Sequence, residues 1–480
     1  MENPTPHLTR VLGRADLTFF LIAALVNLNS VPVVAGMGPG ALIFWIAGFL
    51  FFLFPQGVAV LELSNRYPQE GGIYNWNKAA FGDFHGFISG WCYWTNNIFY
   101  IPTLLFYIVG FAVFIGGDAT AGLGESPWFM AGMSLGLLWI IAGLNILGLG
   151  VGKWVQNVGA FGTFVTTAII LGIGVVAYQT HGMANAVSVS SVMPALTEWR
   201  TVSLLSIVCL NYVGLELGSV LGDEVKDPRR TIPQAAFIAG LCTVILYLLA
   251  TFALQATIPA AEIGVIDGIL QGVKRAAVQI DLAWIVTPIA VLMSLNAAGN
   301  ASAWLAGSAR IPFVIGIDRY LPSALGALHP RFNTPYVSLI VQGFASSLFI
   351  VINAIGTSVH DMYLILLQTT IILQLIPYLY MFAALIRIRR HPERFDAAGA
   401  FFRRSWVCYT AGVTGFAVTA IGVIFAFIPS SGVVDVGNFE FKVILGALSF
   451  LIPALIIFRW SVRRARARAV VPPQVEVVPD

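Results

Sequence analysis

Twelve stretches of this chain are each long and apolar enough to cross a lipid bilayer, and they follow one another from near one terminus to near the other. A span needs about 20 mainly apolar residues. Numbered in chain order, the segments are 17–37, 41–61, 87–115, 127–147, 157–178, 202–222, 234–257, 284–309, 336–354, 363–386, 406–428 and 441–459. In hydrocarbon every backbone N–H and C=O must find a partner within the protein, so the segments are expected to be helices. No alternating ten-residue pattern suggests a barrel. Charged residues make up 10% of the chain, against about 25% in a soluble domain. The expected fold is an all-α polytopic membrane protein with 12 transmembrane helices. No stretch between them is long enough for a separate soluble domain.

The basic residues orient the bundle. With both termini inside, only Arg200, Lys274, Arg275 and Lys442 of the 26 lysines and arginines fall outside. That asymmetry predicts a cytoplasmic N-terminus at residues 1–16 and an even number of spans, as in a protein of the plasma (inner) membrane. The outer loops carry acids instead, among them Asp118, Glu198, Asp267 and Asp435. The first apolar run is too long for a signal-peptide core and reads as a first span. The end of the chain, 460–480, holds Arg463, Arg464, Arg466 and Arg468 followed by a Val/Pro-rich stretch. It is expected to be a disordered tail whose arginines meet anionic lipids. Cys92, Cys209, Cys242 and Cys408 each lie in an apolar run, without metal-ligand spacing, and read as buried thiols.

Two segments are interrupted by polar residues. The sixth contains Asn211, Tyr212, Gly214 and the carboxylate Glu216 before it exits into DEVKDPRRTIP. An ionisable group at mid-membrane depth costs on the order of 3 kcal/mol and is a functional-site candidate. Glu216 could be a structural carboxyl bonded to freed backbone, or a protonatable group that couples to a solute; the residues leave both open. Gly218 and Gly222 continue a small-residue stripe suited to close packing. The first segment carries Asn27, Asn29 and Ser30 near its middle, then Pro32. Proline removes one helical bond. Paired broken helices, whose freed amides suit a carboxylate and freed carbonyls an ammonium, are the way secondary transporters build a solute site.

Three further segments carry polar stripes at helical spacing. Tyr93, Asn96, Asn97 and Tyr100 share a face of the third. Asn296, Asn300, Trp304 and Ser308 step by four along the eighth, and Thr370, Gln374 and Tyr378 along the tenth, beside Pro377. Each residue alone suits interhelical hydrogen bonding, worth about 0.6 kcal/mol. Together with two broken helices they suggest a polar cavity.

These residues, with RYPQEGGIYNW after Glu62, the YVGLE core and its following loop, ASAWLAGSAR, DRYLP and NTPY around the eighth segment, and PYLYMFAAL in the tenth, resemble the amino acid–polyamine–organocation (APC) superfamily. The resemblance covers roughly residues 14–460. Pro32 and the AWLAG-x-x-R run are most similar to bacterial glutamate:GABA antiporters. It implies a LeuT-like five-plus-five inverted repeat with broken helices 1 and 6. The ten-helix core would span 17–386, as repeats 17–178 and 202–386, with peripheral helices at 406–459. The implied pocket falls on Asn27, Asn29, Ser30 and Val31, then Cys209, Leu210, Asn211, Tyr212 and Gly214, with Trp304. Glu216 matches the family's sixth-helix glutamate. Two departures stand out: LNSVP replaces a small-residue turn in the first segment, and the fifth-segment lysine of many proton-coupled members is missing near Gly162 and Thr163.

The expected function is secondary active transport of an amino acid or related amine, by exchange or by coupling to H+ or Na+. The substrate-binding residues would be those of the implied pocket plus Tyr93, Asn96, Asn97 and Asn300. Glu216, Trp304 and Gln374 would couple or gate. No cofactor, metal or nucleic acid is implied. A largely uncharged pocket favours a neutral or small zwitterionic solute over a polyamine. A non-transporting sensor on the same fold is the alternative of another class. An enzyme is disfavoured, because no nucleophile–base pair sits at membrane depth.

Overall fold

A computed structural model describes residues 8–116, 120–185, 199–264, 268–279, 282–355, 359–395, 399–427 and 436–470. Among them the fold is entirely helical, with a single isolated bridge between Leu12 and Val225. Ten helices are long and apolar enough to cross a membrane. Of the other two expected spans, the sixth is broken and the ninth is a continuous helix over its expected length. The sixth is split into Trp199–Asn211 and Leu217–Val220, and the ninth runs over Tyr336–Ala354, the bounds of its apolar run. Apolar content continues through the sixth segment, so hydropathy does not see that its backbone stops being helical.

Several helices outrun the apolar windows that announced them. The third runs over Asp83–Ile115 and the fifth over Leu149–His181. The twelfth, Val436–Val470, corrects the expected tail, because helix continues through the arginines after Arg459. Alanine and arginine are good helix formers, and no proline or glycine interrupts the run. Residues 471–480, and with them the Val/Pro-rich end, lie outside the described residues, as do Asp118, Glu198, Asp267 and Asp435. Two helices sit between segments. Ile73–Phe81 follows the glycine pair of the second loop, and Gly268–Gln279 precedes the eighth segment.

The eighth helix, Val286–Ile317, is the axis of the bundle and packs against the third, fifth and first helices. Its crossing with the fifth brings two backbones together at Gly159 and Gly299. A Cβ on Gly159 would lie 2.7 Å from the Gly299 Cα, which permits only hydrogen there. The first helix is the most enclosed, with 83% of its apolar window buried, and the twelfth the least, with 17%. The break-bearing helices are thus central and the last one peripheral.

Candidate functional site

The first helix stops at Leu25 and resumes at Val31, with a 3-10 turn over Leu28–Ser30 between. Pro32 does not cause the break. It stands in the first turn of the second half, where its missing N–H costs nothing. The carbonyls freed at the end of the first half are taken by other helices. Ala24 O accepts from Asn300 Nδ2 (3.1 Å) and Trp304 Nε1 (3.0 Å), and Val26 O from Asn296 Nδ2 (3.3 Å). Three steps of the eighth-helix stripe therefore cap this break. Leu25 O accepts from the Tyr247 hydroxyl (2.8 Å), which itself accepts from Asn27 N (3.0 Å) and lies 3.2 Å from Asn211 O. One phenol thereby ties the two breaks together. Tyr247 is also held by its ring, which stacks on Trp45 with centroids 4.3 Å apart and meets Tyr212 edge-on at 5.7 Å.

The second break, Tyr212 to Glu216, turns at Gly214, whose φ of +134° excludes an ordinary side-chain-bearing residue. The Trp304 indole and the Leu25 side chain pack over this turn. Glu216 is wholly buried and accepts three hydrogen bonds: from the Tyr93 hydroxyl (2.7 Å), Gln56 Nε2 (3.0 Å) and Gly214 N (3.2 Å). Tyr378 lies against the same carboxylate and is reached by Gln56 Nε2 at 3.3 Å. Glu216 thus braces its own break against the second, third and tenth helices.

Between the breaks and the third and tenth helices lies a small cavity. It is lined by Ala24, Leu25, Asn27, Ser30, Asn96, Tyr100, Thr103, Tyr107, Ile207, Leu210, Asn211, Val213, Trp304 and Gln374. Asn27 Nδ2 donates to the Tyr100 hydroxyl (3.2 Å), and Ser30 Oγ pairs with Asn211 Oδ1 across the breaks. Asn96 Nδ2 donates to Gln374 Oε1 at 2.5 Å. None of these lining side chains is charged. The cavity volume is about 20 Å³, room for a water or so, and a solute enters only when the walls part.

Other sequence-selected residues stand outside this lining. Tyr93 turns to Glu216, Asn97 bonds back to Tyr93 O (2.9 Å), and Tyr212 donates to Trp45 O (2.9 Å). Cys209 is buried beside Gly422. Gly214 and Asn300 act through backbone shape and through the Ala24 cap. Val31 begins the second half-helix, and Asn29 is buried with both amide atoms unpartnered. Thr103 and Tyr107 were missed, although they extend the Asn96–Tyr100 face by steps of three and four. At the fifth-helix position without a lysine, Thr163 accepts from Asn296 Nδ2, so a neutral amide stands where a cation would.

Beyond the Glu216 layer, at the basic end of the bundle, Arg310 is fully buried between two carboxylates. It grips Glu224 through Nε (2.8 Å) and Nη2 (3.0 Å) and lies 3.7 Å from Glu70. Glu70 Oε2 accepts from Asp223 N (3.1 Å), joining the second loop to the exit of the sixth segment. Burial, and then the negative charge of Glu224, push the Glu70 carboxyl well above the ordinary carboxylate range. Gly222 approaches the Pro68 carbonyl so closely that a Cβ has no room, whereas Gly218 meets only leucine side chains at ordinary distances. Glu70 lies in the RYPQEGGIYNW run and Arg310 ends the AWLAG-x-x-R run that carry the resemblance, but neither was expected to belong to the site.

The amino acid permease profile matches residues 12–450. The chain belongs to the amino acid permease family. Among relatives, the permease is 27% identical over 94% of its length to an uncharacterized transporter of Legionella pneumophila, covering 96% of that protein. It is 23% identical to a protein of Lactococcus lactis named "Probable agmatine/putrescine antiporter", over 76% of the chain and 78% of the relative. It is 22% identical to the glutamate/gamma-aminobutyrate antiporter of the same species, over 92% and 88%. The permease is therefore a multi-pass membrane transporter for amino acids or amines, and not an enzyme.

Proposed function

We propose that the permease is a secondary active transporter of neutral or small zwitterionic amino acids, working by alternating access across the plasma (inner) membrane with both termini cytoplasmic. The observation that carries this reading is the uncharged polar cavity at the junction of two broken helices. The broken segments 26–30 and 211–216 would meet the solute's ammonium and carboxylate, and Trp304 and Tyr100 would close on it. The cavity lies on the outer side of the Glu216 layer, and the Arg310 cluster seals the cytoplasmic end. The inner path opens only if that cluster separates. Ligand-driven switching needs a difference in affinity between the two states, not tight binding to both. A polyamine is less well suited, because Glu216, the nearest carboxylate, already accepts from three donors. In this reading the bundle has twelve spans in two inverted repeats, and the work of coupling falls to exchange, to H+ or Na+, or to Glu216.

Purified protein in proteoliposomes, assayed for uptake and exchange over a panel of amino acids and amines at two pH values with and without sodium, tests this. Neutral amino acids are expected to move and polyamines not. Binding without flux would make the protein a sensor, and selective flux of polyamines would overturn the assignment.

A further inference from the structure

The Asn96–Gln374 pair does more than join the third and tenth helices. Both side chains line the cavity and are at least 98% buried. Their mutual bond uses Asn96 Nδ2 and Gln374 Oε1. Asn96 Oδ1 and Gln374 Nε2 are left without a partner. Turning both amides over exchanges the labels and still leaves one acceptor and one donor, because each carboxamide has one of each. Buried polar groups are rarely left unpaired, and leaving them so is costly. The other polar pairs of the cavity, Ser30 with Asn211 and Asn27 with Tyr100, are satisfied across the breaks. Among the residues that line the cavity, the unmet hydrogen-bonding capacity therefore lies on Asn96 and Gln374, on the third and tenth helices and away from the two breaks.

Resting on the transport reading above, we propose that Asn96 and Gln374 form the side-chain subsite of the permease and select an amino acid whose side chain ends in a carboxamide. A carboxamide donates to one free atom and accepts from the other. A carboxylate presents acceptors to both, and so opposes Asn96 Oδ1 while burying a charge where the lining holds no cation. An ammonium has no acceptor to offer Gln374 Nε2. A thioether or branched alkyl group leaves both atoms unpaired. Sites built to hydrogen-bond a polar group discriminate strongly against the isostere that lacks it.

The test compares uptake of labelled glutamine, methionine, glutamate and lysine, and of asparagine against leucine, in proteoliposomes of the full chain. The better carboxamide substrate is expected to exceed its apolar isostere in kcat/KM by at least about tenfold, with glutamate and lysine lower still. In Gln374→Met the ratio of carboxamide to isostere uptake is expected to fall toward one. Equal or faster uptake of the isostere by the wild-type protein overturns the proposal while leaving the transport reading intact, and so does an unchanged ratio in Gln374→Met. Absence of flux for every amino acid overturns both. Should the variant fail to fold, the wild-type ratios decide.

Discussion

Replacing Arg310 by methionine is the most informative perturbation of the buried charge cluster at the basic end. Methionine keeps much of the stem volume but removes the only cation between Glu70 and Glu224 in this cluster. The structure sets the scale. The lost fork spans 2.8 and 3.0 Å to Glu224, the contact to Glu70 is 3.7 Å, and all three side chains are at least 96% buried. At about 4 Å and an effective dielectric of about 20, one such pair is worth about 4 kcal/mol. Removing one partner of a buried pair typically costs about 3–5 kcal/mol. Scaling the unfolding entropy of soluble proteins to 480 residues gives about 1 kcal/mol per kelvin. The expected fall in Tm is therefore at least about 3–5 °C. Thermal unfolding of the purified protein in detergent, followed by labelling of its buried thiols, measures it. The double variant Arg310→Met/Glu224→Gln removes one stranded charge and is expected to recover most of the loss, since a neutral, packed replacement of a buried pair is often tolerated. The deficit of the single variant is expected to shrink as the pH is lowered and its carboxylates take up protons. A single variant within about 0.5 kcal/mol of wild type, a range typical of surface substitutions, would refute the account of Arg310 as the charge that permits these two burials.

Glu70 makes a pH prediction of definite sign. Its carboxyl is raised above its ordinary value of 4.5 by burial and by Glu224, so the folded protein holds that proton more tightly than the unfolded chain. The associated stability is complete below the ordinary value and is lost as pH rises through the raised one. Glu70→Gln, always neutral, is expected to gain in Tm relative to wild type as pH increases above that range; parallel curves would contradict the burial argument. Tyr247→Phe removes the hydroxyl shared by Leu25 O and Asn27 N, and a loss of about 1–3 kcal/mol in unfolding measurements is expected for the groups left unpaired. Glu216→Ala strands three donors and is expected to reduce both stability and transport. In Glu216→Gln, which keeps an acceptor, transport as a function of pH tests coupling, and an unchanged pH profile would remove Glu216 from any protonation role.

Much of the architecture was legible because hydropathy and helical period are local properties. Apolar runs located the helices, and polar stripes marked the faces turned to the interior. The eighth-helix stripe shows where such reading stops. Its period of four said that Asn296, Asn300 and Trp304 share a face, but not that this face would cap Ala24 and Val26. The third-helix face contained both kinds of residue side by side. Asn96 and Tyr100 reach the cavity, while Tyr93 and Asn97 bond to Glu216 and to backbone. Residues one position apart differ by about 100° around a helix, and only the neighbouring helix determines which of the two directions opens on space.

The sequence alone determined that this is a membrane-embedded helical bundle with interruptions in its first and sixth segments, because the cost of exposed backbone and charge in hydrocarbon leaves no other solution for such a composition. Tertiary structure decided what the interruptions do. Whether a freed carbonyl faces Tyr247 or a solute, whether Glu216 is braced or exposed, and whether Arg310 meets one carboxylate or two are set by side chains up to hundreds of residues apart in the chain. Hydrogen bonds and buried charges act over a few ångströms, so their partners are fixed by packing and not by spacing along the sequence.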